Sequence, residues 1–214
     1  MWTQCWLDYN NENRNVSQYE DYFTTLFVDG FKKDEVITTA SDELSRASEG
    51  MFGKAIDMDI SVPDKGIVIK KCDDKTLGKE GYRICCKGSR IYIEAATPKD
   101  VIYGTLRFLA LIRTGTLNKE TDITERPENP IRMLDHWDNM DGSIERGYSG
   151  NSFFFENNDV IINDRTRDYA RLIASLGINA VAINNVNVKD AATDLVNPRF
   201  IDKVRQMSDI FAPL

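Results

Sequence analysis

Apolar residues recur along the chain at two periods, and these divide it into strands and helices. CWLDY, at residues 5–9, reads as a first strand, and VDGFKKDEVITTA leads into a second with Val36 and Ile37 at its apolar centre. In SDELSRASEGMFG, Leu44, Ala47 and Met51 share one helical face. Ser41 is the expected cap of that helix, with Asp42 and Glu43 in its first turn. GIVIKKC reads as a strand, and GYRICCKGSRIYIEAA as a hairpin joined at Lys87-Gly88-Ser89. TPKDVIYGTLRFLALIRTGT predicts a helix with marked ends: Thr97 caps it, Pro98 takes its first turn, Asp100 holds the capping-box position and Gly115 stops it. Together these predict an α+β sandwich, helices on one sheet, over residues 1–127.

Pro127 and Pro130 then bracket an extended segment, ERPENPIRM, and the pattern changes. IRMLDHW is a short strand. NDRTRDYARLIASLG is a helix capped by Asn163 or Asp164, with Tyr169, Leu172, Ile173 and Leu176 as its buried stripe and Gly177 as its end. NAVAINNVNV has the continuous apolar centre of a parallel strand buried on both faces. NPRFIDKVRQMSDIFAPL is a helix with Pro198 in its first turn and Val204, Met207 and Phe211 inward. The order over residues 128–214 is β-α-β-α. The 85 residues from Pro130 to Leu214 make two such units, whereas a closed (β/α)₈ barrel takes roughly 250 residues. The second region is therefore expected to be a truncated parallel sheet, its edge covered by a further segment.

Composition narrows the function classes. Hydrophobic residues make up 42% and charged residues 29%, as in globular proteins. No apolar run approaches the ~20 residues of a membrane span, so no membrane partner is expected. MWTQCWLDYN has neither a basic n-region nor an apolar h-region, so no signal peptide is expected in this chain. The compartment stays open, since a leader could have been removed. A net charge of −7 argues against a nucleic-acid partner but leaves room for an acidic small ligand. Cys5, Cys72, Cys85 and Cys86 lack zinc-ligand spacing and read as packing residues. An oxidising compartment would allow a Cys5–Cys72 bridge, which nothing in the sequence selects. No metal cluster, phosphate loop or dinucleotide fingerprint appears, so no cofactor is implied. The charged DDK and KKDE stretches read as solvated surface.

The chemistry gathers in LDHWDNMDGSIERGYSG, residues 134–150. In parallel α/β architectures ligands bind at the C-terminal ends of strands. His136, the sole histidine, sits at one such end with Trp137, Asp138 and Asn139. Asn184, Asn185, Val186 and Asn187 sit at the next. Amides and carboxylates offer planar donors and acceptors to sugar hydroxyls, and an indole offers a stacking face. These strand ends suggest a carbohydrate site.

PIRMLDHWDNMDGSIERGYSGNSFFF and DYARLIASLGINAVAINNVNV closely resemble α-glucuronidases of glycoside hydrolase family 67. The likeness extends through CWLDY, EGYRI and VIYGTLRFLALIRTGT. It implies an N-terminal domain like that of family 20 hexosaminidases, followed by the first two βα units of a TIM (β/α)₈ catalytic barrel. It implies hydrolysis, with inversion, of the α-1,2 bond of glucuronic acid or its 4-O-methyl ether in xylan-derived oligosaccharides. The family's catalytic acid and base lie on later strands. No residue of this chain is then expected to be catalytic, and the chain alone is expected to be inactive. The implied partner is a glucuronic-acid-substituted xylo-oligosaccharide, and a homodimer of the full-length enzyme is allowed. Ser149 stands where the family usually has Ala.

On this resemblance the substrate-binding set is His136, Trp137, Asp138, Asn139, Glu145, Arg146, Asn184, Asn185 and Val186. Each carries a second reading. Trp137 either packs at the barrel mouth or walls the sugar's O4 substituent opposite Val186 or Val188. His136 either orders the strand end or touches the sugar. Asp138 and Asn139 either close the loop or bind hydroxyls. Glu145 and Arg146 either pair internally or serve, respectively, as hydroxyl acceptor and positive neighbour of the uronate. Asn184 and Asn185 either cap the strand or bind hydroxyls. The rival functions are a non-catalytic carbohydrate-binding or docking module and a family 20-like hexosaminidase.

Overall fold

The computed structural model describes residues 7, 9–10, 16–183 and 190–214. The chain forms two compact units, Met1–Glu128 and Asn129–Leu214.

The first unit is built on β1 (Thr25–Asp29), α1 (Glu35–Phe52), β2 (Asp57–Met58), β3 (Gly66–Lys71), β4 (Tyr82–Lys87), β5 (Arg90–Ala95), α2 (Pro98–Arg113) and β6 (Asp122–Glu125). Its six-stranded sheet runs β2-β1-β3-β5-β4-β6. The β1–β3 and β3–β5 pairs are parallel, and β4 is antiparallel to both of its neighbours. Leu26, Ile67, Ile69, Ile91, Ile93 and Ile84 share one sheet face by register and are fully buried. Helix α2 lies on β4 and β5, and α1 packs on α2. Phe23, Phe52 and Phe108 join the helices in one aromatic cluster, with centroid spacings of 5.1 and 5.9 Å about Phe23.

Two expectations need correction here. Val36 and Ile37 are not the centre of a strand; they open α1. The cap is Asp34, whose side chain accepts from the Val36 N–H at 2.9 Å. Ser41 lies inside the helix, its hydroxyl bonded back to the Ile37 carbonyl at 2.9 Å. The β-branched pair yields to a longer helical face, Ile37, Ala40, Leu44, Ala47 and Met51, all buried. The strand that pairs with β3 is instead TLFVD, residues 25–29. Cys5, Trp6 and Asp8 of the expected first strand lie outside the described residues. Tyr9 is described and buried, and its hydroxyl donates to the buried Glu43 carboxylate.

The hairpin forms between β4 and β5. Cys85 and Cys86 point to opposite sheet faces, and burial raises both thiols, Cys86 to about 11. Cys72, Cys85 and Cys86 are free thiols; Cys5 lies outside the described residues.

Helix α2 starts as its sequence requires. The Asp100 N–H donates to Thr97 Oγ1 at 3.4 Å, and the Thr97 N–H donates to the Asp100 carboxylate at 3.0 Å. Thr97→Ala removes one of these partners and is expected to cost about 1 kcal/mol. Urea unfolding measures this; Thr97→Ser should recover most of the loss.

The second unit holds β7 (Met133–Asp135), the hairpin strands β8 (Phe155–Glu156) and β9 (Asp159–Val160), α3 (Asp164–Ser175), β10 (Ala180–Ala182) and α4 (Ile201–Phe211). Strands β7 and β10 are parallel neighbours, with Leu134 opposite Val181. Asn179 locks their entry: its side chain accepts from the Arg132 N–H and donates to the Pro130 carbonyl, both at 2.9 Å. Asn157 and Asn158 turn the β8–β9 hairpin in the left-handed conformation, at φ 52° and 61°, as Asn does in a tight hairpin.

Asn163 caps α3 and Thr166 returns the bond. Of the expected stripe only Ile173 is buried; the other buried residues of α3 are Thr166, Ala170 and Ala174. Tyr169 and Leu172 are half-buried, and Leu176 is 67% exposed because the helix ends before it. β10 is half-buried rather than covered on both faces; among the described residues only β7 pairs with it. Helix α4 begins after Phe200, with Pro198 outside it. Met207 is buried, Phe211 packs at the edge, and Met140, Phe154, Phe155, Val160, Ala192 and Phe200 complete the core.

Candidate functional site

The parallel pairing of β7 and β10 brings their C-terminal ends to one side. The His136 N–H continues the ladder to the Ala182 carbonyl at 2.8 Å. Beyond it the chain leaves the sheet and folds back on itself through isolated bridges, Asp138 to Ile144 and Ser143 to Asn151. Asp141 supports that return, its carboxylate accepting from the Ser143 N–H at 2.8 Å and from its hydroxyl at 2.6 Å.

This return brings five of the nine candidate residues together. The Glu145 N–H donates to the Trp137 carbonyl at 2.8 Å. The Asn139 amide nitrogen donates to the Glu145 carbonyl and to Ser143 Oγ, both at 2.9 Å. Its amide oxygen is buried and has no hydrogen-bond partner among the described residues. Asn139 thus ties the two arms of the loop together. Asp138 is buried at 3% exposure, and the His136 ring stands beside it, Nδ1 to Oδ1 3.6 Å. His136 Nε2 lies 2.6 Å from the Tyr169 hydroxyl on α3. Burial, with the Asp138 charge adding, pushes that hydroxyl up to about 12.

Trp137, Arg146 and Tyr148 are exposed on this loop, and Glu145 is half-buried beside them. Trp137 is 43% exposed although it follows a strand. Glu145 adopts a left-handed backbone at φ 58°, a conformation that costs a non-glycine residue of order 1–3 kcal/mol and tends to occur at functional sites. Tyr148 and Ser149 hydroxyls donate to its carboxylate, the latter at 3.0 Å. These bonds, with the Arg146 charge, hold the carboxyl below the usual range. Arg146 is exposed. Asn184, Asn185, Val186 and Val188 lie outside the described residues.

Tyr169 and Phe154 were not singled out from the sequence as site residues. Tyr169 reads there as one apolar position of a helical stripe, and only its hydroxyl marks it for a second role. Phe154 lies in the SFFFE run and packs edge-on against both rings, at 5.2 Å from His136 and 5.6 Å from Tyr169. Among the described residues no group of acidic, histidine or cysteine side chains could hold a metal ion. The loop therefore offers an exposed indole, an ionised carboxylate and a nearby guanidinium, an arrangement suited to a polyhydroxylated ligand with an acidic group.

Two family models match the chain end to end. The N-terminal model of glycosyl hydrolase family 67 matches residues 5–108, and the family's middle-domain model matches residues 111–214. The chain is 32% identical over 191 residues to a probable α-glucuronidase A of Aspergillus oryzae, covering 83% of this chain and 22% of that protein. It is 31% identical over 207 residues to an α-glucuronidase of Hypocrea jecorina, covering 85% of this chain and 24% of that protein. The chain thus spans about a quarter or less of the length of these curated relatives.

Solved structures share the mixed α/β fold at low identity. A family 115 4-O-methyl-α-glucuronidase with specificity for decorated arabinogalactans aligns at TM-score 0.60 and 12% identity, over 88% of this chain and 28% of that one. A family 20 exo-β-N-acetylglucosaminidase from Vibrio harveyi aligns at TM-score 0.51 and 14% identity, over 75% of this chain and 22% of that one.

Proposed function

We propose, from the premise that this chain belongs to glycosyl hydrolase family 67, that it forms part of an α-glucuronidase acting on glucuronic-acid-substituted xylo-oligosaccharides. Residues 1–127 are its N-terminal domain, and residues 128–214 are the first two βα units of the (β/α)₈ barrel. The observation that carries this reading is the strand-end loop. It lies where barrel enzymes place their active sites, and it exposes Trp137 and Arg146 with the half-buried Glu145 carboxylate beside them.

In this reading the residues of this chain bind and orient the uronate, and they do no proton transfer. Glu145, kept ionised, accepts from sugar hydroxyls. Arg146 supplies positive potential near the uronate carboxylate. Trp137 forms one wall of a slot for the sugar's O4 substituent, and Val186 or Val188, outside the described residues, is assigned to the slot as well. Asn184 and Asn185 complete the hydroxyl contacts. Such positioning lowers the barrier by holding the glycosidic bond against an acid and a water activated from the opposite face, as inversion requires.

The test uses the protein encoded by the complete reading frame. Release of glucuronic acid from an aldouronic acid supports the reading; cleavage of a β-N-acetylglucosaminide in its place overturns it. Trp137→Ala in that enzyme is expected to lower kcat/KM for the 4-O-methylated substrate about 10–200-fold relative to plain glucuronate. An unchanged ratio with a lowered melting temperature would make Trp137 a packing residue.

A further inference from the structure

Both ring nitrogens of the chain's single histidine face protein groups. Nε2 meets the Tyr169 hydroxyl, 33 residues away in sequence, at 2.6 Å. Nδ1 faces the buried Asp138 carboxylate at 3.6 Å. Phe154 and Tyr169 hold the ring edge-on, with centroids 5.2 and 5.4 Å away.

A neutral imidazole carries one N–H and one lone pair, and its neighbours select which nitrogen has the proton. A carboxylate only accepts, so a proton on Nδ1 faces a complementary group and a lone pair there would face repulsion. The Tyr169 hydroxyl, pushed up to about 12, keeps its proton at neutral pH and needs an acceptor. Nε2 is that acceptor.

We propose that Tyr169 is a positioning residue of the strand-end site: its hydroxyl donates to His136 Nε2, fixes the imidazole as the Nδ1–H tautomer beside Asp138, and so sets the direction in which Trp137 leaves the strand. The inference rests on the glucuronate reading above for its role in binding. Trp137 is held from both sides. His136 before it is tied to β10 through its backbone and to α3 through its ring. Asp138 after it is buried and bridged to Ile144. The Trp137 carbonyl is occupied by the Glu145 N–H. With its backbone fixed at these points, the half-exposed indole is aimed by its neighbours. His136, with Nε2 bonded to Tyr169 and Nδ1 turned toward Asp138, acts by ordering the strand end.

Because the chain has one histidine, a long-range ¹H–¹⁵N spectrum of the labelled 214-residue protein shows one imidazole. At mildly alkaline pH the expected pattern is that of an Nδ1–H ring with an unprotonated, hydrogen-bonded Nε2. Tyr169→Phe keeps the ring contacts and removes the donor. It is expected to move the imidazole toward Nε2–H and to shift the Trp137 indole N–H resonance, identified by its loss in Trp137→Phe. An Nε2–H ring in the unmodified chain overturns the proposal, as does a Tyr169→Phe spectrum that leaves both signals in place. No sugar enters this measurement. A complete enzyme inactive on glucuronosides, with the tautomer as stated, would therefore remove only the functional reading.

Discussion

Phe154→Ala is expected to destabilise the second unit by about 3–5 kcal/mol, the range for truncating a buried phenylalanine. Phe154 is fully buried. It touches Phe153 at 4.2 Å, His136 at 5.2 Å and Tyr169 at 5.6 Å between ring centroids. Its backbone is also engaged, the N–H with Ser152 Oγ at 3.0 Å and the carbonyl with the Ile161 N–H at 2.8 Å. With its N–H and carbonyl both bonded, the main chain at residue 154 cannot readily move in to fill the space the ring leaves, so the vacated volume stays largely open. A domain's whole stability is of order 5–15 kcal/mol, so the loss should be plain in urea unfolding. The site should feel it as well, because one of the two rings that hold His136 is gone. A loss below about 1 kcal/mol would mean that this ring is not part of the core.

Gly66→Ala is expected to cost the first unit about 2–6 kcal/mol, combining backbone strain with overpacking. Gly66 opens β3 at φ 136°, and a Cβ there would stand 2.3 Å from the Thr25 carbonyl oxygen. That oxygen belongs to the backbone of β1, which β3 pairs in parallel. No rotamer change removes the clash, so two central strands must separate locally. Gly53→Ala is the matched control. Gly53 also has positive φ, 66°, but nothing lies within 4 Å of its Cβ position. It should cost only the left-handed backbone penalty, about 1–2 kcal/mol. Urea unfolding of both variants isolates the clash as their difference; equal losses would show that β1 yields at no cost.

Local chemistry was readable from the sequence wherever the partners lie within a few residues. Thr97 and Asp100 define the start of α2 because each satisfies a backbone N–H of that first turn, and Pro98 because it has no N–H to leave unpaired there. The β4–β5 hairpin and the Asn163 cap follow for the same reason. The strand-end cluster at residues 136–139 was visible because unlike polar groups gather in so few positions. Tertiary structure decided what depends on distant partners. TLFVD becomes a central strand only because Ile67–Lys70 lies beside it, and nothing within the five residues announces that. Val36 and Ile37 become helical because burying a face that runs to Met51 outweighs their β preference. Leu176 shows the converse: its apolar character placed it in a stripe, and the helix end turned it to solvent. Tyr169 acquires a site role only when the fold sets its hydroxyl against a histidine 33 residues earlier. A sequence encodes caps and turns in short range, but which side chains meet is set by the contacts that burial makes between distant segments.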